Sequence, residues 1–95
     1  MPALWIGHVT VNDEDAYGKY ADLAGPAIVK YGGKFIARGG RYIQLEGTDR
    51  PRNVVAKFES LEAAETCYNS KEYQAALDFA RGAAERELLI VETSE

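Results

Sequence analysis

The chain is poor in the residues on which several classes of protein depend. Its single cysteine, Cys67, excludes an intrachain disulfide and is typical of a reducing compartment. Its single histidine, His8, has no His, Cys or carboxylate beside it at the spacing of metal ligands, so we expect no metal site. Apolar runs stay well short of the roughly 20 residues that span a bilayer, and the N-terminus lacks the basic region of a signal peptide. These absences favour a cytoplasmic protein without a membrane partner.

The chain also has fewer basic residues than acidic ones. Eleven Lys and Arg residues face 15 Asp and Glu residues, and the net charge of −4 opposes sequence-independent binding to nucleic acid. The stretch from Lys34 to Arg52 is the exception, because it holds five basic residues and only two acidic ones. Such a stretch either attracts a small anion or forms a solvated basic face. Gly39-Gly40 within it has neither dinucleotide-binding nor P-loop spacing, so we expect no nucleotide cofactor.

The remaining composition is that of a globular domain. Apolar residues make up 46% of the chain and charged residues 27%. With 95 residues we expect one domain over residues 1–95. A chain of this size buries only about two thirds of its unfolded surface, so oligomerisation would add buried apolar area.

Five segments have the composition of β-strands. Gly39-Gly40 separates two of them, which predicts either a tight hairpin or one long strand bent by a bulge. Turn or helix signals bound the others. The segments are Leu4–Val11, Lys34–Arg38, Tyr42–Glu46, Asn53–Phe58 and Leu88–Glu92.

Two helical regions lie between the strands. Asp13 is an N-cap for the first, which ends at Gly32-Gly33, and Gly25-Pro26 predicts a kink or a restart within it. Ser60 caps the second region. Asn69-Ser70 splits that region, and Ser70 caps its last part.

The resulting order is β-α-β-β-α-β, the α+β ferredoxin-like arrangement with an antiparallel sheet and a split second helical region. Helices on one face of such a sheet leave the other face bare. An apolar bare face pairs most simply with a second copy of the chain. Because Trp5, Val9 and Val11 share one face of the first strand, we expect that face to form a homodimer.

Several short motifs together resemble a known family. They are Asp13–Tyr17 with Tyr20, Gly32–Phe35, Ala37–Gly40, Glu46-Gly47, Phe58–Ser60, Tyr68–Tyr73 and Arg81. In this combination the chain is similar, over nearly its whole length, to domain of unknown function family 1330 (DUF1330), a branch of the dimeric α+β barrel superfamily. The resemblance implies a ferredoxin-like protomer whose sheet pairs across a dimer into a barrel. It implies no single activity, because the superfamily includes cofactor-independent monooxygenases, haem-handling enzymes, lactone isomerases and stress proteins.

The candidate catalytic residues are His8 and Tyr20. His8 is the natural acid–base group near neutral pH, although a histidine on a strand is also commonly a core or edge residue bonded to a neighbour. Tyr20 lies on a helical face directed at the sheet, where its hydroxyl needs a partner.

The candidate ligand-binding residues are Arg38, Gly39, Gly40 and Tyr73. A guanidinium at the end of a strand, beside backbone that can approach closely, suits a carboxylate or phosphate group. The alternative for Arg38 is a structural ion pair with Glu46 or a helix acid. The hypothesis is a pocket between the first helix and the sheet, lined by His8, Tyr20, Arg38 and Tyr73.

Two functions stay open at this point. One is a metal-free, cofactor-independent enzyme of isomerase or monooxygenase type that acts on a small anionic or aromatic metabolite. The other is a dimeric module that binds such a metabolite, or stabilises a partner, without chemistry. A tautomerase that uses Pro2 as its base fits the element order poorly.

Overall fold

Four strands and three helices make up the computed structural model, which describes residues 1–95. The observed order confirms the expected β-α-β-β-α-β arrangement and the split of the second helical region. The elements are β1 (Ala3–Val11), α1 (Glu14–Lys30), β2 (Lys34–Arg38), β3 (Arg52–Phe58), α2 (Leu61–Asn69), α3 (Lys71–Ala80) and β4 (Ala84–Glu92).

The four strands form one antiparallel sheet in the order β2-β3-β1-β4. β1 is central, and its Trp5 is paired with Ala56 of β3 on one side and with Ile90 of β4 on the other. Strand β2 is an edge strand whose register shifts between Phe35 and Ala37, which marks a bulge or irregularity at Ile36. The other edge strand, β4, pairs with β1 without interruption.

The core lies between the three helices and one face of the sheet. Its largest fully buried side chains are Trp5, Phe58, Cys67 and Tyr73. The rings of Trp5 and Tyr73 are nearly perpendicular, with their centroids 5.0 Å apart, an edge-to-face arrangement. Burial raises the pKa of the Cys67 thiol to about 11, so the thiol is protonated and unreactive at neutral pH.

The sheet face that carries Trp5 is the covered face, and this corrects one expectation. Trp5 and Val9 are 2% and 3% exposed and pack against the helices, so they do not form a surface for a second copy. Both faces of β1 are apolar, and alternation alone does not tell which of them lies under the helices. The open face instead presents Leu89 and Val91 of β4, which are 55% and 45% exposed.

The helices begin where capping residues predict. The side chains of Asp13, Ser60 and Ser70 accept hydrogen bonds from backbone N–H groups three residues further on. Helix α1 is continuous through Pro26, so the helix does not restart there, and the expected kink stays a prediction. Gly25 has no Cβ to collide with the proline ring that follows it, which relieves part of the usual clash. None of the three helices combines the length and apolar character needed to cross a bilayer.

Two strand predictions need correction. The segment Tyr42–Glu46 is not a strand, since residues 39–51 form neither helix nor strand. Gly39 ends β2 with a positive φ of 69°, and its N–H donates to the carbonyl of Asn53 at 2.9 Å. Strand β4 begins at Ala84 rather than Leu88, because alternate residues of this charged stretch face the helices.

Candidate functional site

A cavity of about 30 Å³ lies between α1 and the covered face of the sheet. A volume of this size holds about two water molecules. Most of the wall is apolar, and the polar side chains on it are Tyr17, Tyr20, Arg38, Arg52 and Arg86. Helix α1 supplies both tyrosines, while the ends of β2 and β3 and the first half of β4 each supply one arginine.

The three arginines of this cavity have no carboxylate partner. Five ion pairs occur in the chain, and none of them includes Arg38, Arg52 or Arg86. Their guanidinium groups lie beside aromatic rings instead: Arg38 is 4.1 Å from the centroid of Phe35, and Arg86 is 4.7 Å from that of Tyr20. The cavity therefore carries positive charge that no acidic side chain neutralises.

Arg86 holds two tyrosine hydroxyls together at the side of the cavity. Its Nη2 donates to the hydroxyl oxygens of Tyr20 at 2.8 Å and of Tyr73 at 3.0 Å, and these two oxygens are 2.8 Å apart. Burial raises the pKa of both tyrosines, so both hydroxyls are protonated at neutral pH. Burial by itself would lower the pKa of Arg86, but attraction to the hydroxyls of Tyr20 and Tyr73 outweighs it, and the group stays charged.

Only one of the two tyrosine hydroxyls has a proton that it can donate to a ligand. Each tyrosine has one O–H, and the bond between Tyr20 and Tyr73 uses only one of the two protons. Tyr73 is fully buried and does not border the cavity, whereas Tyr20 does. The favourable arrangement has Tyr73 donating to Tyr20, since the reverse would leave the Tyr73 proton buried without an acceptor. Tyr20 then keeps a proton for an acceptor in the cavity. The buried Nε of Arg86 also has no hydrogen-bond partner.

The absence of a side chain at Gly25 leaves room for the guanidinium of Arg38 beside α1. A Cβ built on Gly25 would come within 2.8 Å of Nη2 of Arg38, so the guanidinium occupies the space that a side chain would take. The structure thus brings together three of the residues predicted for the pocket. Tyr20 and Arg38 border the cavity, and Tyr73 lies behind Tyr20.

His8 does not belong to this cavity. It is exposed on the open face of the sheet, where its Nδ1 is 2.6 Å from Oδ1 of Asn53. The predicted pocket is therefore wrong in including His8, because residues 5, 7 and 9 of β1 face the helices and residue 8 faces away. The acid–base role of His8 stays a prediction. Nowhere in the chain do three His, Cys, Asp or Glu side chains cluster in a way that could hold a metal ion.

Gly39 and Gly40 lie at the rim rather than in the wall. Neither borders the cavity, although a Cβ on Gly39 would come within 3.4 Å of Nη1 of Arg52. Their predicted role in ligand binding stays untested.

Arg86 borders the cavity and is not among the site residues that the sequence predicts. It alternates with Ala84, Leu88 and Ile90 on the covered face of β4, so the alternation holds the signal. That signal is obscured by the glutamates on either side, Glu85 and Glu87, which make the stretch resemble a loop. Arg52 also borders the cavity, and the sequence singles it out only as the end of the basic stretch.

Comparison with known proteins identifies the fold. The family model described as "Domain of unknown function (DUF1330)" matches residues 2–94. A crystal structure of a protein of unknown function from Rhodopseudomonas palustris is similar, with 20% identity, a TM-score of 0.79, and coverage of 99% of this chain and 83% of that one. Among curated proteins there is no significant match.

Two further solved structures are similar at lower identity. SnoaB, a cofactor-independent oxygenase from Streptomyces nogalater, shares 11% identity at a TM-score of 0.66, over 99% of this chain and 94% of its own. A dimeric protein of unknown function with a ferredoxin-like fold from Bacteroides fragilis shares 14% identity at a TM-score of 0.64, over 97% and 96% of the two chains. These similarities confirm the ferredoxin-like fold.

Proposed function

The chain belongs to the family Domain of unknown function (DUF1330), and we propose that it binds a small-molecule anion in the cavity between α1 and the sheet. The observation that carries the proposal is the set of guanidinium groups of Arg38, Arg52 and Arg86, none of which pairs with a carboxylate. Unneutralised cations in a partly desolvated site attract an anion more strongly than they would in water.

The chemistry of the wall indicates the class of ligand. Guanidinium groups bind carboxylates and phosphates through paired hydrogen bonds, and the Tyr20 hydroxyl offers a further donor. The remaining wall is apolar and aromatic, which suits an aliphatic or aromatic body. A metabolite is larger than the present cavity. Arg38 is an exposed residue, and rotation of its long side chain away from Gly25 would admit one.

A second candidate function is catalysis by charge stabilisation. The neutral Tyr20 hydroxyl and the Arg86 cation can hold negative charge that develops on a substrate oxygen, as in an enolate. The cavity wall offers no side chain that accepts a proton at neutral pH, so the substrate or the solvent must supply the base. SnoaB is a cofactor-independent oxygenase of the same fold, which makes isomerase or monooxygenase chemistry without a cofactor the form to test.

A homodimer is the assembly that we propose for this function. The exposed Leu89 and Val91 on the open face of the sheet favour it, and so does the dimeric state of the Bacteroides fragilis protein of similar fold. A cytoplasmic location is consistent with the lone buried thiol of Cys67.

Isothermal titration calorimetry tests the binding proposal. The probes are inorganic phosphate, acetate, succinate and benzoate, titrated into wild type and Arg38→Gln. Loss of one charge-assisted pair should weaken binding about tenfold. Arg41→Gln is the matched control, since Arg41 is exposed, forms no ion pair and does not border the cavity. Equal losses in both variants, or no binding of any probe by wild type, would refute the proposal.

A turnover assay tests the proposed catalysis. Any probe or metabolite that binds is incubated with wild type and Tyr20→Phe, and product is followed by mass spectrometry. Turnover that Tyr20→Phe abolishes while binding persists supports the enzyme. Saturable binding without product supports the module.

A further inference from the structure

The three arginines of the cavity lie at two separate ends of it. Arg52 of β3 and Arg86 of β4 are both paired with Val9 of β1, one on either side. Adjacent strands lie about 4.8 Å apart, so the Cα atoms of these two arginines are separated by about 10 Å. Arg38 lies on the same side of β1 as Arg52, because β2 pairs with β3. Arg38 and Arg52 therefore form one cationic end of the cavity, and Arg86 forms the other.

Contacts with α1 hold the two ends at different tyrosines. Cζ of Arg52 is 5.8 Å from the ring centroid of Tyr17, and Cζ of Arg86 is 4.7 Å from the ring centroid of Tyr20. The two rings are neighbours on the helix, with their centroids 4.8 Å apart. Each end of the cavity thus has its own strand and its own aromatic ring, and the two ends are separate places for an anionic group.

Both ends carry donors that no acceptor within the chain uses. Neither Arg38 nor Arg52 forms an ion pair. At the other end, the buried Nε of Arg86 has no hydrogen-bond partner, and the Tyr20 hydroxyl keeps the proton that its bond to Tyr73 does not use. Each end can therefore bind one carboxylate through charge-assisted hydrogen bonds.

The surface between the two ends is apolar. Val9 separates the ends within the sheet, and Gly7, Val54 and Leu88 form the next row of the same face. All four of these residues border the cavity. A short methylene chain suits this surface, whereas a polar group at its middle would find no partner there.

We infer that the ligand of this cavity is a linear dicarboxylate, with one carboxylate at each end and its methylene chain over Val9. The inference rests on the proposed binding of an anion and names the class of that anion. One carboxylate accepts hydrogen bonds from Arg86 and Tyr20, and the other accepts them from Arg38 and Arg52. A monocarboxylate occupies one end only and leaves the other end without a counter-charge. A dianion whose two carboxylates share one carbon atom cannot reach both ends.

Two isomeric diacids test the inference by isothermal titration calorimetry. Glutarate has a carboxylate at each end of its chain, whereas ethylmalonate, with the same formula and charge, has both on one carbon atom. At mildly alkaline pH, where both are dianions, wild type should bind glutarate about tenfold more tightly, the effect of one charge-assisted contact. Equal affinities for the two isomers would refute the inference and leave anion binding intact. Failure of wild type to bind either diacid, phosphate or a monocarboxylate would refute the proposed function and the inference with it.

Variants at each end should abolish the preference for glutarate over ethylmalonate. Arg86→Gln removes the charge at one end, and circular dichroism checks its fold, because Arg86 also bonds two buried hydroxyls. The double variant Arg38→Gln/Arg52→Gln removes the charge at the other end and breaks no ion pair, so it tests the inference even if Arg86→Gln unfolds. Arg41→Gln is the matched control and should keep the preference. A tenfold preference that survives in either folded variant would overturn the inference.

Discussion

The guanidinium of Arg38 lies against α1 at Gly25, at the point where any other residue would place a side chain. The distance from a Cβ on Gly25 to Nη2 of Arg38 would be 2.8 Å, below the separation that packed atoms tolerate. Gly18 occupies the same helix, and a Cβ there would meet nothing within 4 Å. These two glycines provide a matched pair of positions for separating helix stability from the site.

Gly25→Ala should separate stability from anion binding. Alanine favours the helix over glycine by about 0.5–1 kcal/mol, but its Cβ would meet the ring of Pro26, so these two effects oppose each other and the melting temperature should change little. Anion affinity measured by calorimetry should fall because the guanidinium is displaced. Gly18→Ala should raise stability and leave affinity unchanged. Unchanged affinity in Gly25→Ala would show that the position of Arg38 is immaterial to binding.

Phenylalanine substitutions should distinguish the two bonded tyrosines. Tyr73→Phe removes a buried hydroxyl from Tyr20 and Arg86, and should lower the free energy of unfolding by about 1–3 kcal/mol in urea titrations. Tyr20 borders the cavity and carries the proton that the bond between the two tyrosines leaves free, so Tyr20→Phe should weaken anion binding more than Tyr73→Phe does. The reverse ranking of anion affinities would contradict the assignment of the free proton to Tyr20.

Stability should decline at alkaline pH because of the same tyrosines. Burial raises the pKa of Tyr20 and Tyr73 above that of an unfolded tyrosine. Their contribution is complete below the unfolded pKa of about 10 and is lost as the pH rises above it, because the unfolded chain releases those protons first. Urea midpoints measured at increasing pH should fall less steeply in Tyr20→Phe than in wild type. Parallel curves would argue against this linkage.

Stability should decline at acidic pH because Glu72 of α3 becomes protonated. A hydrogen bond from the Lys30 ammonium, then its own backbone N–H and the Tyr31 hydroxyl, lower the pKa of Glu72 to about 2. Its contribution is present above the ordinary value of 4.5 and is lost as the pH falls toward about 2. Glu72→Gln should show a shallower acid decline in thermal melts than wild type. Glu62→Gln, which has no ion pair, is the control and should follow wild type.

The sequence predicts most of the fold because local signals and tertiary packing agree. Asp13, Ser60 and Ser70 mark helix starts, and each caps its helix through its own side chain. The alternation of apolar and polar residues does not predict the covered face of a strand when both faces are apolar, as around Trp5. The packing of the helices alone determines which face is covered. The strand predicted around Tyr42–Leu45 is also absent, because these residues, although suited to a strand, pair with no other strand of the chain.

The candidate site was only partly predictable for a related reason. Arg38 and Tyr20 carry local signals, a basic stretch and a helical face. Arg86 reaches the site by strand alternation from the far end of the chain, and the pairing of β1 with β4 brings it opposite Val9. No local pattern encodes that register.

The segment of residues 39–51, which joins β2 to β3, is flanked at both ends by residues of the cavity. Arg38 is the last residue of β2 and Arg52 the first of β3, and both border the cavity. Any contact that immobilises this segment therefore also restrains Arg38 and Arg52, two of the groups proposed to bind an anion. If a second copy of the proposed homodimer contacts this segment, the coupling is reciprocal, and an anion tightens the association of two copies by the same factor by which association tightens anion binding. Anion affinity should then weaken on dilution, as the concentration of protein falls below the dissociation constant of the dimer.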